Sequence, residues 1–222
     1  MLARCALLTL AVALWLLVLG AARADMPSAT LATLSGASTL LLAPLLAPPT
    51  ATGRRAVVRL LAWSGLVVVA AVVFPLLRGQ LPGLPWFGLL GPMALAVHAA
   101  VALASRLAPA HAGAAGPALS CALAAAGALP LWAGPLAELV TTRWPAALDS
   151  VVGASPLVQI AVAAGNDLVR NDWFYAHSAL SGLSFDYPHP GLAALAYAIV
   201  GGLLLTWLAR VSRAPASTLE NP

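Results

Sequence analysis

Between residues 141 and 190 the chain gathers Asp149, Asp167, Asp172 and Asp186, four of its seven acidic residues. Arg143, Arg170, His177, His189, Trp144, Trp173 and Tyr175 lie in the same segment. Carboxylate, guanidinium and imidazole groups at this density can hold a metal, pass protons or dock a charged partner. Asp167 and Arg170 stand at i and i+3, so on a helix they share a face and pair, for roughly 0.2–0.5 kcal/mol when exposed. One reading of Asp167, Arg170 and Asp172 is a solvated helix face. The sharper one is a gate or docking surface formed with Trp173, Tyr175 and His177. His177 and His189 match no standard metal-ligand spacing with Asp172 or Asp186, and no metal site is expected.

His98 is the second candidate, because it falls in the middle of an apolar run. An intramembrane ionisable group is a functional candidate by default, able to ligate haem or relay a proton. No second histidine lies in a facing run, so a bis-histidine haem site has no support. The simpler expectation is a neutral imidazole hydrogen-bonded to a neighbouring helix. A third group is Arg54 and Arg55, with Arg59 one helical turn further on. These cations set topology or, more sharply, dock a cytoplasmic partner. The chain has no G-x-x-x-x-G-K-[ST], H-E-x-x-H, G-x-S-x-G or C-x-x-C sequence, which removes the phosphate loop and several hydrolase and redox classes. No catalytic residue and no cofactor is assigned, and the chain is not expected to be an enzyme. Cys5 and Cys121 both sit in apolar runs and are expected to be buried free thiols.

The elements that must carry these groups are membrane helices. Of 222 residues, 61% are hydrophobic and 8% charged, against about 25% charged in soluble domains. So little charge cannot cover a water-facing surface, and most of the surface must face lipid. Apolar runs long enough to cross a bilayer, at roughly 20 residues each, are expected at residues 5–22, 30–46, 56–77, 86–104, 114–140 and 191–208. Residues 1–24 also fit a signal peptide, with a charged start, an apolar centre and Ala22-Arg23-Ala24 as a cleavage site. The expected fold is therefore an all-α membrane bundle of about six spans, or five if residues 1–24 are removed. The bundle covers residues 25–210, and residues 211–222 form a polar tail. Pro117, Pro130 and Pro135 fall in the fifth run, which is expected to kink or break near Trp132-Ala133-Gly134-Pro135.

Arginine sets the orientation. With the N-terminus inside, seven arginines (Arg4, Arg54, Arg55, Arg59, Arg106, Arg210 and Arg213) lie on the inner side and four (Arg23, Arg78, Arg143 and Arg170) on the outer. Arginine-rich short loops stay cytoplasmic, so both termini are placed inside and residues 141–190 outside. Trp86, Trp144 and Trp207 fall near run ends, where an indole favours the interface. Within the outer loop, Ser155 is a candidate N-cap with Pro156 at the first helical position. That gives a short helix ending near Gly165-Asn166, lying in the interface or re-entering the membrane. Residues 166–177 are expected to form an amphipathic helix on the outer surface. All eleven basic residues are Arg, which together with the Ala, Leu, Gly and Pro usage suggests a GC-rich bacterial genome and an inner-membrane location. No arginine cluster of the kind that binds nucleic acid is present.

The layout resembles the ABC-2 type permease family: six spans, both termini inside, a basic turn between spans two and three, and an outer loop with re-entrant helices between spans five and six. The turn Pro48-Pro49-Thr50-Ala51-Thr52-Gly53-Arg54-Arg55-Ala56-Val57-Val58-Arg59 is similar to the inner connection that meets the ATPase. Ser155-Pro156-Leu157-Val158 followed by Asp167-Leu168-Val169-Arg170-Asn171-Asp172-Trp173 is similar to the outer helical hairpin. The resemblance implies a permease-like subunit of an ABC-type export or assembly system. Its partners would be the bilayer, itself or other membrane subunits, and a cytoplasmic ATPase. Two other readings remain open: a structural or anchoring subunit docking through residues 167–177, and a membrane enzyme or haem protein built on His98, His177 and Asp186.

Overall fold

A computed structural model describes residues 1–19, 26–48, 54–129, 145–167, 186–187 and 189–211. These form α1 (Leu2–Val18), α2 (Ser28–Leu42), α3 (Arg54–Leu77), α4 (Leu84–Leu107), α5 (Ala112–Gly127), α6 (Pro145–Ala154), α7 (Pro156–Ala163) and α8 (Pro190–Val211). No strand occurs among the described residues. Among the described residues, four helices are long and apolar enough to cross a membrane: Ser28–Leu46, Arg55–Leu77, Leu84–Leu107 and Pro190–Val211. They correspond to the second, third, fourth and last runs expected from sequence. The first run is a shorter apolar helix, Leu2–Val18. The fifth is described as far as residue 129, its helix as Ala112–Gly127, so its expected break at residues 132–135 lies outside the described residues.

Helix α2 is continued by a 3-10 turn, Ala43–Leu46. Pro44 causes the change, because it has no N–H to donate to the carbonyl four residues back. Where the turn ends, the carbonyls of Leu46 and Ala47 accept from Arg4 Nη1 of α1. The rest of α1 packs through Cys5, Leu8, Val12 and Leu16. Their spacing of three and four residues puts one stripe against α2 and α3.

Hydrogen bonds fasten most of the other helices to α2. Ser35 Oγ donates to the Ala71 carbonyl of α3. Trp86 Nε1 of α4 donates to the Ala32 carbonyl at 3.1 Å. Ser120 Oγ of α5 donates to the Leu41 carbonyl at 2.8 Å, and Asn166 Nδ2, just beyond α7, donates to Thr33 Oγ1 at 3.3 Å. Lipid cannot pull apolar helices together, so packing and such interhelical bonds hold a membrane bundle. Trp86 lies near a span end, as expected, but faces inward. It is 1% exposed, its indole spent on the α2 backbone and its ring edge-on to Phe87.

At α8 the attachment is different. It lies along α4, where a Cβ built on Gly201 would come within 3.3 Å of the Ala96 nitrogen. Close approach of this kind is what small residues allow. Its other side carries exposed Leu192, Leu195, Ile199, Leu203 and Trp207, a stripe suited to lipid. Of the two cysteines, Cys5 is buried as expected, whereas Cys121 is exposed on the outward side of α5. A helix only one side of which packs leaves half its positions facing outward, and residue type alone does not say which.

Candidate functional site

The carbonyl ends of α2, α4 and α8 meet the amino ends of α1, α3 and α5 at one end of the bundle. Arg4, Arg55, Arg59, Arg106 and Arg210 all belong to this end. A cavity of about 340 Å³ opens there. Its rim includes the exposed Leu45, Arg59 and Gly113, and its wall reaches the buried His98. Helical spacing explains the lining. Ala56, Arg59 and Leu60 share a face of α3, and His98, Val101, Ala102 and Ser105 share a face of α4. On the α5 side, a Cβ at Gly116 would fall 2.5 Å from the Pro44 oxygen, so glycine is what lets α5 close against the 3-10 turn.

His98 is 1% exposed, and its ring stands edge-on to Trp63 with centroids 6.0 Å apart. The Ala94 and Ala43 carbonyls face the imidazole without closing a hydrogen bond of normal geometry to either nitrogen. Trp63 Nε1 likewise has no partner. The imidazole expected to bond a neighbouring helix thus faces Ala43, in the turn that continues α2. A buried polar group left unsatisfied costs about 1–3 kcal/mol, and His98 in the wall and Trp63 behind it both carry ring nitrogens of this kind. Ser105 satisfies itself by donating to the Val101 carbonyl at 2.8 Å.

The opposite end is built from α6 and α7. Ser155 caps α7: its Oγ accepts from Val158 N at 3.4 Å, with Pro156 in the first turn, as the sequence led us to expect. The same hydroxyl donates to the Gly127 carbonyl at 3.0 Å, so one side chain starts α7 and ties it to the end of α5. At its other terminus α7 stops at Gly165, whose φ of +77° suits a residue without a Cβ. Asn166 N then bonds to the Ala161 carbonyl at 2.8 Å and Gly165 N to the Val162 carbonyl at 3.0 Å, the paired closure of a Schellman motif. That closure fixes the backbone of Asn166, whose side chain meets Thr33. Pro156 and Leu157 lie beside Leu40 and Leu41, while Asn166 lies beside Thr33. Helix α7 therefore runs antiparallel to α2.

Of the residues singled out from sequence, Arg59 and His98 line one cavity. Arg55 is exposed at the same end, and Arg54 begins α3, its side chain outside the described residues. Asp167 lies at the opposite end, where its carboxylate accepts from the Tyr187 hydroxyl, and Asp149 Oδ1 accepts from Asp186 N at 3.0 Å. Arg170, Asp172, Trp173, Tyr175 and His177 lie outside the described residues. Among those described, no three His, Cys, Asp or Glu side chains group as metal ligands. Sequence reasoning missed Trp63, Ser105 and the α2 hydroxyls. The available signal was the four-residue step from Arg59 to Trp63, matched by the steps from His98 to Ala102 and Ser105. No family model, curated protein or solved structure matches the chain.

Proposed function

We propose that the chain is a permease-like membrane subunit of an ABC-type export or assembly system, working with a separate ATPase. The observation that carries this reading is the difference between the two ends: one holds a cavity bordered by arginine, the other is filled by the α6–α7 hairpin. Placing the basic end in the cytoplasm follows the arginine rule. The hairpin then enters from the outside, with Ser155 as its apex at the depth of Gly127, and acts as an outer gate. Arg55 and Arg59, at the basic end, face the ATPase. ATP binding there rearranges the helices about α2, and the cavity is the inward-open compartment. The location implied is a bacterial inner membrane.

The test is purification of the tagged chain from its native host in mild detergent, with mass spectrometry of what accompanies it. A stoichiometric ATPase is the expected result, weakened by Arg55→Glu. Recovery of other membrane subunits without an ATPase would instead favour an anchoring subunit, a reading supported by the broad apolar stripe on α8. Cysteine labelling from outside intact cells at position 186, replacing Asp186, must succeed; protection there would reverse the orientation and remove the gate.

A further inference from the structure

We infer that the cavity at the basic end binds an anionic amphiphile, with the acceptor oxygens of its head between Arg59 and the His98 ring and its apolar part against Leu60, Val101 and Leu208. Three observations converge on that chemistry. First, among the described residues no carboxylate faces the charge there. No Asp or Glu occurs anywhere from residue 26 to residue 137, nor from 190 to 211, so the helices that wall the cavity carry no carboxylate. Arg59 makes no ion pair among the described residues. Second, the polar groups available are chiefly donors. A guanidinium offers five N–H groups and a neutral imidazole one. His98 and Trp63 leave their ring nitrogens unpartnered behind the wall. Arg59 and Trp63 are four residues apart on α3, a separation of about 6 Å along the axis. One anionic head can therefore engage the guanidinium while reaching the level of the imidazole. Third, the rest of the lining is aliphatic, which a small hydrated anion would not use.

The site does not depend on an ATPase partner, so the test uses the full chain alone in phosphatidylcholine nanodiscs. Native mass spectrometry would count bound dodecyl phosphate, with empty nanodiscs as the partition control. Arg59→Gln, an exposed change that leaves packing intact, should weaken binding roughly tenfold or more, as for loss of a hydrogen bond to a charged group. His98→Leu should weaken it severalfold while leaving the melting temperature of the unliganded protein equal or higher, because removing an unsatisfied buried polar group relieves its cost. A merely structural histidine would lower that temperature instead, and that result would count against the site. Inorganic phosphate binding as well as dodecyl phosphate would make this a soluble-anion site. Dodecyl maltoside binding as well would make it a plain apolar groove. Either outcome, or unchanged binding in Arg59→Gln, overturns the proposal.

Discussion

Helices α2 and α8 are both apolar and long enough to cross a bilayer, yet they are held in different ways. Counting its 3-10 turn, α2 has 56% of its span buried in the protein; α8 has 17%. Residues 28–39 of α2 include six serines and threonines, and four other helices exchange side-chain hydrogen bonds with it or with the turn that follows. Among the described residues, no side-chain hydrogen bond joins α8 to another helix; Thr206 spends its hydroxyl on the Leu203 carbonyl of its own helix. So α2 is fastened by direction-specific bonds to fixed partners. Packing without such bonds holds α8, through Gly201 against Ala96 and through Leu208 among Ala56, Leu60, Ala102 and Leu103. Leu208 of α8 also lines the cavity. The comparison separates a helix tied by directed bonds, α2, from one held by packing alone, α8.

The largest expected effect is at Trp86, which fills the contact between α2 and α4. Trp86→Ala should cost about 3–5 kcal/mol in unfolding measured in detergent, while Leu203→Ala on the outward face of α8 stays within about 0.5 kcal/mol. Equal losses would break the contrast. Next come two glycines. Gly116→Ala places a methyl against the Pro44 oxygen, and overpacking of this kind costs about 1–3 kcal/mol. Gly202→Ala on α8 meets nothing within 4 Å and should leave the melting temperature unchanged. A smaller effect is expected for Ser155→Ala, which removes the α7 cap for about 1 kcal/mol. Protection of α7 amides in hydrogen exchange would register that loss, while α8 amides keep their rates. The smallest effect is the Asn166–Thr33 bond. A double-mutant cycle with Asn166→Ala and Thr33→Val should give a coupling of about 0.6 kcal/mol, typical of such bonds in membrane proteins. Zero coupling would remove α7 from the set of helices tied to α2.

The four long helices were legible because a lipid-facing or core-facing span must be a continuous apolar run, and composition alone reports that. The Ser155-Pro156 start was legible because cap chemistry is local. What could not be read was the identity of partners. The hydroxyls of α2 look unremarkable within their own run; their meaning depends on carbonyls such as Ala71 and on a donor at Asn166. The position of Trp86 near a run's end was legible, but its acceptor, Ala32, lies 54 residues away. His98 stood out as an intramembrane imidazole. That neither nitrogen finds a partner is a property of the helices around it. Most of the proposed outer docking surface, from Arg170 to His177, lies outside the described residues.

The bond between Asn166 and Thr33 joins groups 133 residues apart in the chain. At roughly 5–20 residues per second of synthesis, Thr33 enters the membrane on the order of ten seconds before its partner exists. During that wait the hydroxyl-bearing face of α2 has no α7 to cover it. A nascent chain halted before residue 166 should therefore be a preferred target for membrane proteases or insertion chaperones, and completion of the C-terminal part of the chain would mark the moment at which that susceptibility ends.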